Sequence, residues 1–145
     1  MLAERLLLAC LLGAAIGWNR QAKGKAAGLR THMLVSLGAA LFVMVPLSLG
    51  ATAVDATSRT IQGVATGIGF LGAGEIIHES RQTTGEARVR GLTSAASVWV
   101  TAAIGMLAAC GLWRVGLVGT LLTVVILSGA KRLERLIPIQ RSQDD

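Results

Sequence analysis

An all-α integral membrane bundle of about five transmembrane helices is the fold class this sequence predicts, and three observations predict it. The 145 residues are 52% hydrophobic and only 15% charged, with mean hydropathy +0.61, far more apolar than an ordinary soluble domain of this size. Apolar runs recur over 2–18, 33–54, 61–77, 92–112 and 115–130, each close to the length that crosses a hydrocarbon core of about 30 Å. The Lys and Arg residues collect in the gaps between those runs rather than along a helix face.

The first run carries Glu4 and Arg5 near its start, where long side chains reach the interface. A signal peptide places its positive charge before the apolar core, whereas here the main charge follows it, so an uncleaved helix is expected. Gly13 and Gly17 form a small-xxx-small pair on one face, which reads as a packing groove. The loop after it, WNRQAKGKAAGLRTHMLV over Trp18 to Val35, holds Arg20, Lys23, Lys25 and Arg30, the densest positive cluster in the chain. Such clusters mark the cytoplasmic side of a membrane protein.

The second run has no charged residue, and Pro46 removes one backbone donor, predicting a kink about two-thirds of the way across. Asp55 to Arg59 is expected to form a short outer turn. The third run is the most glycine-rich, with Gly63, Gly67, Gly69, Gly72 and Gly74, and its small faces predict a helix at the centre of the bundle. A phosphate-binding loop is the rival for GIGFLGAG, but no strand-like run precedes it and no Gly-Lys-Ser/Thr follows.

The polar interval His78 to Arg90 returns the chain to the side of the first basic loop. The fourth run places Thr93, Ser94, Ser97 and Thr101 beside Trp99; hydroxyls bond the preceding turn's carbonyls and serve between helices. Trp113 and Arg114 are expected to make a tight turn, with Trp113 an interfacial anchor. Eleven of the fourteen Lys and Arg fall on one side of this arrangement, giving an N-terminus outside, a cytoplasmic C-terminus, a membrane domain over 1–135 and a short cytoplasmic tail over 136–145.

The net charge of +6 and pI near 10.7 point to topology rather than nucleic acid, because side chains that stack on bases are scarce, with no Tyr and two Phe. Cys10 and Cys110 fall at different membrane depths, so an intrachain disulfide is not expected. No Asp, Glu, Lys, Arg or His falls within Leu6 to Trp18, Met33 to Val54, Ile61 to Gly74, Leu92 to Trp113 or Val115 to Ala130, which argues against an ion-coupled carrier, although glycine-rich backbone carbonyls could still coordinate a cation. No nucleophile stands with a base, so the chain reads as no enzyme and calls for no cofactor.

Ionisable residues gather instead at the cytoplasmic rim: Arg20, Arg30, His32, Glu75, Glu79 and Arg90, with His78 beside them. Glu75, His78 and Glu79 share a helix face at i, i+3 and i+4. They could hold Mg²⁺, which accepts one or two carboxylates; the simpler reading pairs the acids with Arg20, Arg30 or Arg90. His32 could sense pH near its ordinary pKa of about 6.5, or make a structural hydrogen bond at the start of the second helix, where Thr31 reads as an N-cap.

Three blocks together resemble the membrane domain of the MgtC/SapB family. They are Arg20 with AAGLRTHMLVSLGAALF from Ala26 to Phe42, GIGFLGAG from Gly67 to Gly74 after Asp55, and RGLTSAASVWVTAAIG from Arg90 to Gly105. The resemblance implies a bacterial inner-membrane protein tied to growth at low Mg²⁺, acid stress and virulence. It implies action by binding membrane partners, the F-type ATP synthase among them, with a homodimer or an older assignment as a Mg²⁺ transporter or channel as alternatives. Two departures stand out: Asn19 replaces the acidic residue usual before the arginine, and the C-terminal ACT-like cytoplasmic domain of many members is not expected here. The expected key positions are Arg20, Arg30, Thr31, His32, Arg90 and Thr93 at the rim, and Gly67, Gly69, Gly72 and Gly74 as a packing surface. Glu75 and Glu79 are the metal candidates.

Overall fold

The computed structural model describes residues 2–50, 53–81 and 90–134, and within these the chain is five helices with no strand. They are α1 (Leu2–Ala22), α2 (Leu29–Ser48), α3 (Ala53–Arg81), α4 (Leu92–Ala109) and α5 (Trp113–Glu134). The first four are long and apolar enough to cross a membrane, and α5 adds a shorter apolar segment, Trp113–Gly129. Leu7, Leu11, Phe42, Phe70, Leu121 and Ile126 all face outward more than half exposed. A surface of that kind needs hydrocarbon rather than water around it.

Glycine makes two of the sharp connections. Gly24 (φ +62°) turns the chain between α1 and α2, where Lys23 and Lys25 both donate their backbone N–H to the Arg20 carbonyl at 3.1 Å. At the end of α4, Gly111 (φ +77°) donates to Ala108 O at 3.1 Å and Leu112 donates to Leu107 O at 2.9 Å. This Schellman pair satisfies carbonyls a helix end leaves open, and Arg5 adds a bond from Nη1 to Ala109 O at 2.7 Å.

The helix at the centre is α4: it touches all four others, and 56% of its span is buried. The expectation of a central third helix is therefore corrected. Only 6% of the α3 span is buried, and α3 packs on α2 and α4 alone. Four of its five glycines, Gly63, Gly67, Gly69 and Gly74, are open because no other helix comes to them, whereas the closest backbone approaches belong to Gly13, Gly17 and Gly105. A Cβ at Gly13 would stand 2.6 Å from His32 O, and one at Gly17 2.8 Å from Leu29 Cα. One at Gly105 would overlap the Ser36 backbone. The core of Ala9, Leu12, Ile16, Ala40, Val43 and Ile104 fills the space between α1, α2 and α4.

Several boundaries also differ from the sequence reading. Asp55 to Arg59 lie within the first turns of α3 rather than in an outer turn, and Trp113 and Arg114 begin α5, the turn being made by Cys110 to Leu112. Polar residues at a helix start favour helix as readily as loop when the backbone amides need acceptors. Pro46 sits in the last turn of α2, two residues from its end, not partway across. There it removes a single bond where the ladder is already finishing. Thr31 is not a cap: α2 starts at Leu29, its N-cap is Gly28, and Gln21 Oε1 accepts the Leu29 N–H at 3.3 Å. The predicted tail, 136–145, and most of the polar interval after Arg81, residues 82–89, lie outside the described residues.

Candidate functional site

Six of the seven buried polar residues described gather toward the basic end of the bundle, where α1, α2 and α4 meet; the seventh, Thr120, bonds within α5. Arg20 on α1, His32 and Ser36 on α2, and Ser94, Ser97 and Thr101 on α4 are all buried, with His32 fully enclosed. Gly13 and Gly17 bring α1 against α2, and Gly105 brings α4 against α2, so short side chains can reach across.

The bonds form a chain. Arg20 Nη2 donates to Ser94 Oγ at 2.5 Å, Ser97 Oγ lies 2.8 Å from the Ser94 carbonyl, and His32 Nε2 stands 3.1 Å from Ser97 Oγ. His32 Nδ1 is 2.8 Å from the Gly28 carbonyl; an oxygen there can only accept, so Nδ1 carries a proton. Ser97 has one proton for two acceptors, the Ser94 carbonyl and an unprotonated Nε2, which couples the orientation of its hydroxyl to the histidine. Ser36 Oγ donates to Ala9 O at 2.7 Å and ties α2 to α1, while Thr101 Oγ1 donates within α4 to Ser97 O at 2.7 Å. Among the described residues, Arg20 on α1 and Glu75 on α3 are the charges that act on the imidazole.

A second polar tie joins α1 to α5. Asn19 Nδ2 donates to Ser128 Oγ at 2.6 Å, and Lys23 Nζ donates to Leu127 O. The Asn19 amide thus has a structural partner of its own.

Two of the six rim residues expected to matter, Arg20 and His32, join the buried cluster; Arg30, Thr31, Arg90 and Thr93 are exposed. Of the glycines expected to pack, a Cβ at Gly72 would stand 3.3 Å from Ala95 Cβ, while one at Gly67, Gly69 or Gly74 would meet nothing within 4 Å. Glu75 has one carboxylate oxygen buried without a hydrogen-bond partner among the described residues, and the Glu79 side chain lies outside them. No group of three or more His, Cys, Asp or Glu among the described residues could hold a metal ion. Both cysteines are free; outside the spans, burial pushes the Cys110 thiol up, and Arg5 opposes that to a smaller extent.

Sequence reasoning placed Ser94, Ser97 and Thr101 between helices without assigning them to the site, and it did not single out Ser36 or Gly105. The signal was present for α4: Ser94, Ser97 and Thr101 at i, i+3 and i+7 share one face. For Ser36 there was none, because a lone serine in an apolar run shows no preference for one neighbour.

Apolar spans, an apolar exterior and a polar cluster sealed between closely packed helices define a multi-pass inner-membrane protein. The chain belongs to the MgtC family, whose profile matches residues 6–136. It is 52% identical to SrpB of Synechococcus elongatus over 147 residues, covering 97% of this chain and 81% of SrpB. It is 43% identical to YhiD of Escherichia coli K12, a protein named as a candidate magnesium transporter, over 85% of this chain and 57% of YhiD. It is 40% identical to MgtC of Salmonella typhimurium LT2 over 90% of this chain and 54% of MgtC. The chain thus spans a little over half the length of those last two relatives. No solved structure matches it.

Proposed function

We propose that this protein supports bacterial growth under low Mg²⁺ or acid stress by binding other membrane proteins, without catalysis. The N-terminus lies outside and the C-terminus in the cytoplasm. The observation that carries the reading is the closure of the α1, α2 and α4 interface. Gly13, Gly17 and Gly105 hold backbone against backbone there, Arg20 Nη2 bonds Ser94 Oγ, and His32 and Ser97 bond each other and helix carbonyls. Such an interface holds the helices in one arrangement but leaves little room for a hydrated path. A cavity of about 610 Å³ between α2 and α3 is open to the side, with Leu34, Val35, Phe42, Val64 and Ile68 in its lining. That lining suits a hydrocarbon neighbour, not an ion.

A target of the F-type ATP synthase kind, reached through the exposed helix faces, is what the resemblance to the MgtC/SapB family implies. Crosslinking in native membranes followed by identification of the captured proteins tests this. ATP synthase subunits recovered with the wild type and lost with a Gly105→Leu variant support the reading; a fully active protein that captures no membrane protein overturns it.

A second reading, Mg²⁺ transport, is favoured by the name of the relative YhiD and by the buried carboxylate oxygen of Glu75. Purified protein in liposomes decides between them. Mg²⁺ uptake above empty vesicles that falls in Glu75→Gln selects transport, and uptake equal to empty vesicles rejects it.

A further inference from the structure

Arg30 and Thr31, which the buried cluster leaves at the surface, stand above a groove that the bundle does not fill. The groove is the cavity of about 610 Å³ between α2 and α3, open to the side. Phe42, Val64, Ile68 and Leu71 give it apolar walls, and its depth comes from residues without side chains. Gly38 on α2 and Gly63 and Gly67 on α3 line it, and a Cβ at any of the three would meet nothing within 4 Å. From Thr60 to Leu71 the groove follows α3 for about 16 Å. That is one leaflet's share, roughly 15 Å, of a hydrocarbon core about 30 Å thick.

Leu34 and Leu71 mark the end of the groove nearest the basic end of the bundle. There a second recess, about 490 Å³, is lined by Arg30 and Thr31 together with Gln21, Ala26, Gly28 and Leu29. Arg30 comes four residues before Leu34 and Thr31 four before Val35, so each stands one helical turn above a residue of the groove. Both are exposed, and the Arg30 guanidinium makes no hydrogen bond or ion pair among the described residues. Because α2 starts at Leu29, the N–H groups of Arg30 and Thr31 belong to its first turn, which has no acceptors for them within the helix. Among the described side chains at this end, Glu75 is the single carboxylate, half-buried, against Arg20, Lys23, Lys25, Arg30 and Arg90. The recess therefore offers donors and a positive potential to an anion, directly above a slot for hydrocarbon.

We propose that the groove between α2 and α3 seats one acyl chain of an anionic phospholipid from the leaflet at the basic end, its phosphate held by the Arg30 guanidinium and the Thr31 hydroxyl. Charge complementarity selects this occupant over a helix of another protein. The donors stand at the level where a lipid of that leaflet carries its phosphate, and an apolar helix would leave them without an acceptor. The guanidinium N–H and the hydroxyl O–H donate to phosphate oxygens, charge-assisted bonds that a neutral headgroup without a net charge matches less well. The glycines at 38, 63 and 67 then serve as the floor on which the chain lies. The inference goes beyond the partner-binding reading and rests only on the placement of the bundle in a membrane.

The test is native mass spectrometry of the purified full chain, released from micelles after titration with palmitoyl-oleoyl phosphatidylglycerol or with the phosphatidylcholine of the same chains. Wild type should retain phosphatidylglycerol at least about fivefold better, and Arg30→Gln should remove that preference, the loss expected of a charge-assisted bond at an exposed site. Arg59→Gln, at an exposed arginine near the opposite end of α3, should keep it. Gly67→Leu puts a side chain into the groove and should lower phosphatidylglycerol retention by a similar factor. Gly69→Leu, on the same helix but outside the groove and equally unobstructed, should not. Glycerol phosphate, which carries the phosphate without acyl chains, should not displace the lipid at equal concentration. Equal retention of the two lipids, an unchanged preference in Arg30→Gln, its loss in Arg59→Gln, equal retention by Gly67→Leu and Gly69→Leu, or displacement by glycerol phosphate would overturn the proposal. A wild type that retains no lipid would overturn it too, leaving the groove to a helix of another protein. Growth at low Mg²⁺ and partner capture are scored separately, so lipid retention stands or falls without them.

Discussion

Two glycine-to-alanine changes, identical in chemistry, have opposite expected effects on stability. At Gly105 on α4 a new Cβ would collide with the carbonyl oxygen, carbonyl carbon and Cα of Ser36 on α2. All three are backbone atoms in the middle of a helix, so no rotamer change relieves the clash and the two helices must separate. Overpacking of that kind costs about 1–3 kcal/mol. The separation also loosens the Ser36 Oγ bond to Ala9 O on the third helix of the interface. At Gly67 on α3 nothing lies within 4 Å, so alanine meets no obstacle and should stabilise by up to about 1 kcal/mol through helix propensity. The assay is equilibrium unfolding of the purified full chain in mixed micelles, followed by tryptophan fluorescence. A Gly105→Ala protein as stable as wild type, or a Gly67→Ala protein less stable than Gly105→Ala, would refute the assignment of α4 rather than α3 to the centre.

Other expectations follow from single contacts. Ser97→Ala removes the α4 hydroxyl facing His32 Nε2 and should lower stability by about 1 kcal/mol, whereas Thr101→Val removes a bond made within α4 and should change it by less than about half that; the same unfolding assay compares them. Gly111→Ala places a side chain at φ +77° and should cost about 1–2 kcal/mol, read as a lower midpoint of unfolding. Cys110 has its thiol pushed up by burial, so less thiolate is present at a given pH than for an ordinary cysteine. Maleimide labelling at Cys110 in a Cys10→Ala background should therefore be slower than that of an exposed model thiol at pH 8 and should rise further as the pH is raised; equal rates would contradict it.

Much of the architecture was legible in the linear chain, because in a bilayer the strongest constraint is local. Each span must be apolar and must satisfy its own backbone, so hydropathy alone located five helices, and the placement of Arg20, Lys23, Lys25 and Arg30 separated the first two. Helix ends were less legible. Gly28, Asp55 and Trp113 lie where the chain changes polarity, and polarity does not distinguish a turn from a helix's first turn. Gly111, by contrast, stops α4 through its positive φ.

Which small residues meet which helix was decided only in three dimensions. The sequence is richest in glycine on α3, yet the contacts that a Cβ would break are at Gly13, Gly17 and Gly105, since an interface depends on what stands opposite it. Arg20 and His32 could be named from the sequence as rim residues. Their burial, and their connection through Ser94 and Ser97, required α4 to pack against both α1 and α2 at close range. Periodicity along one helix specifies a face, but a hydrogen bond between helices needs two faces at the same depth and distance, and only the packed bundle sets both.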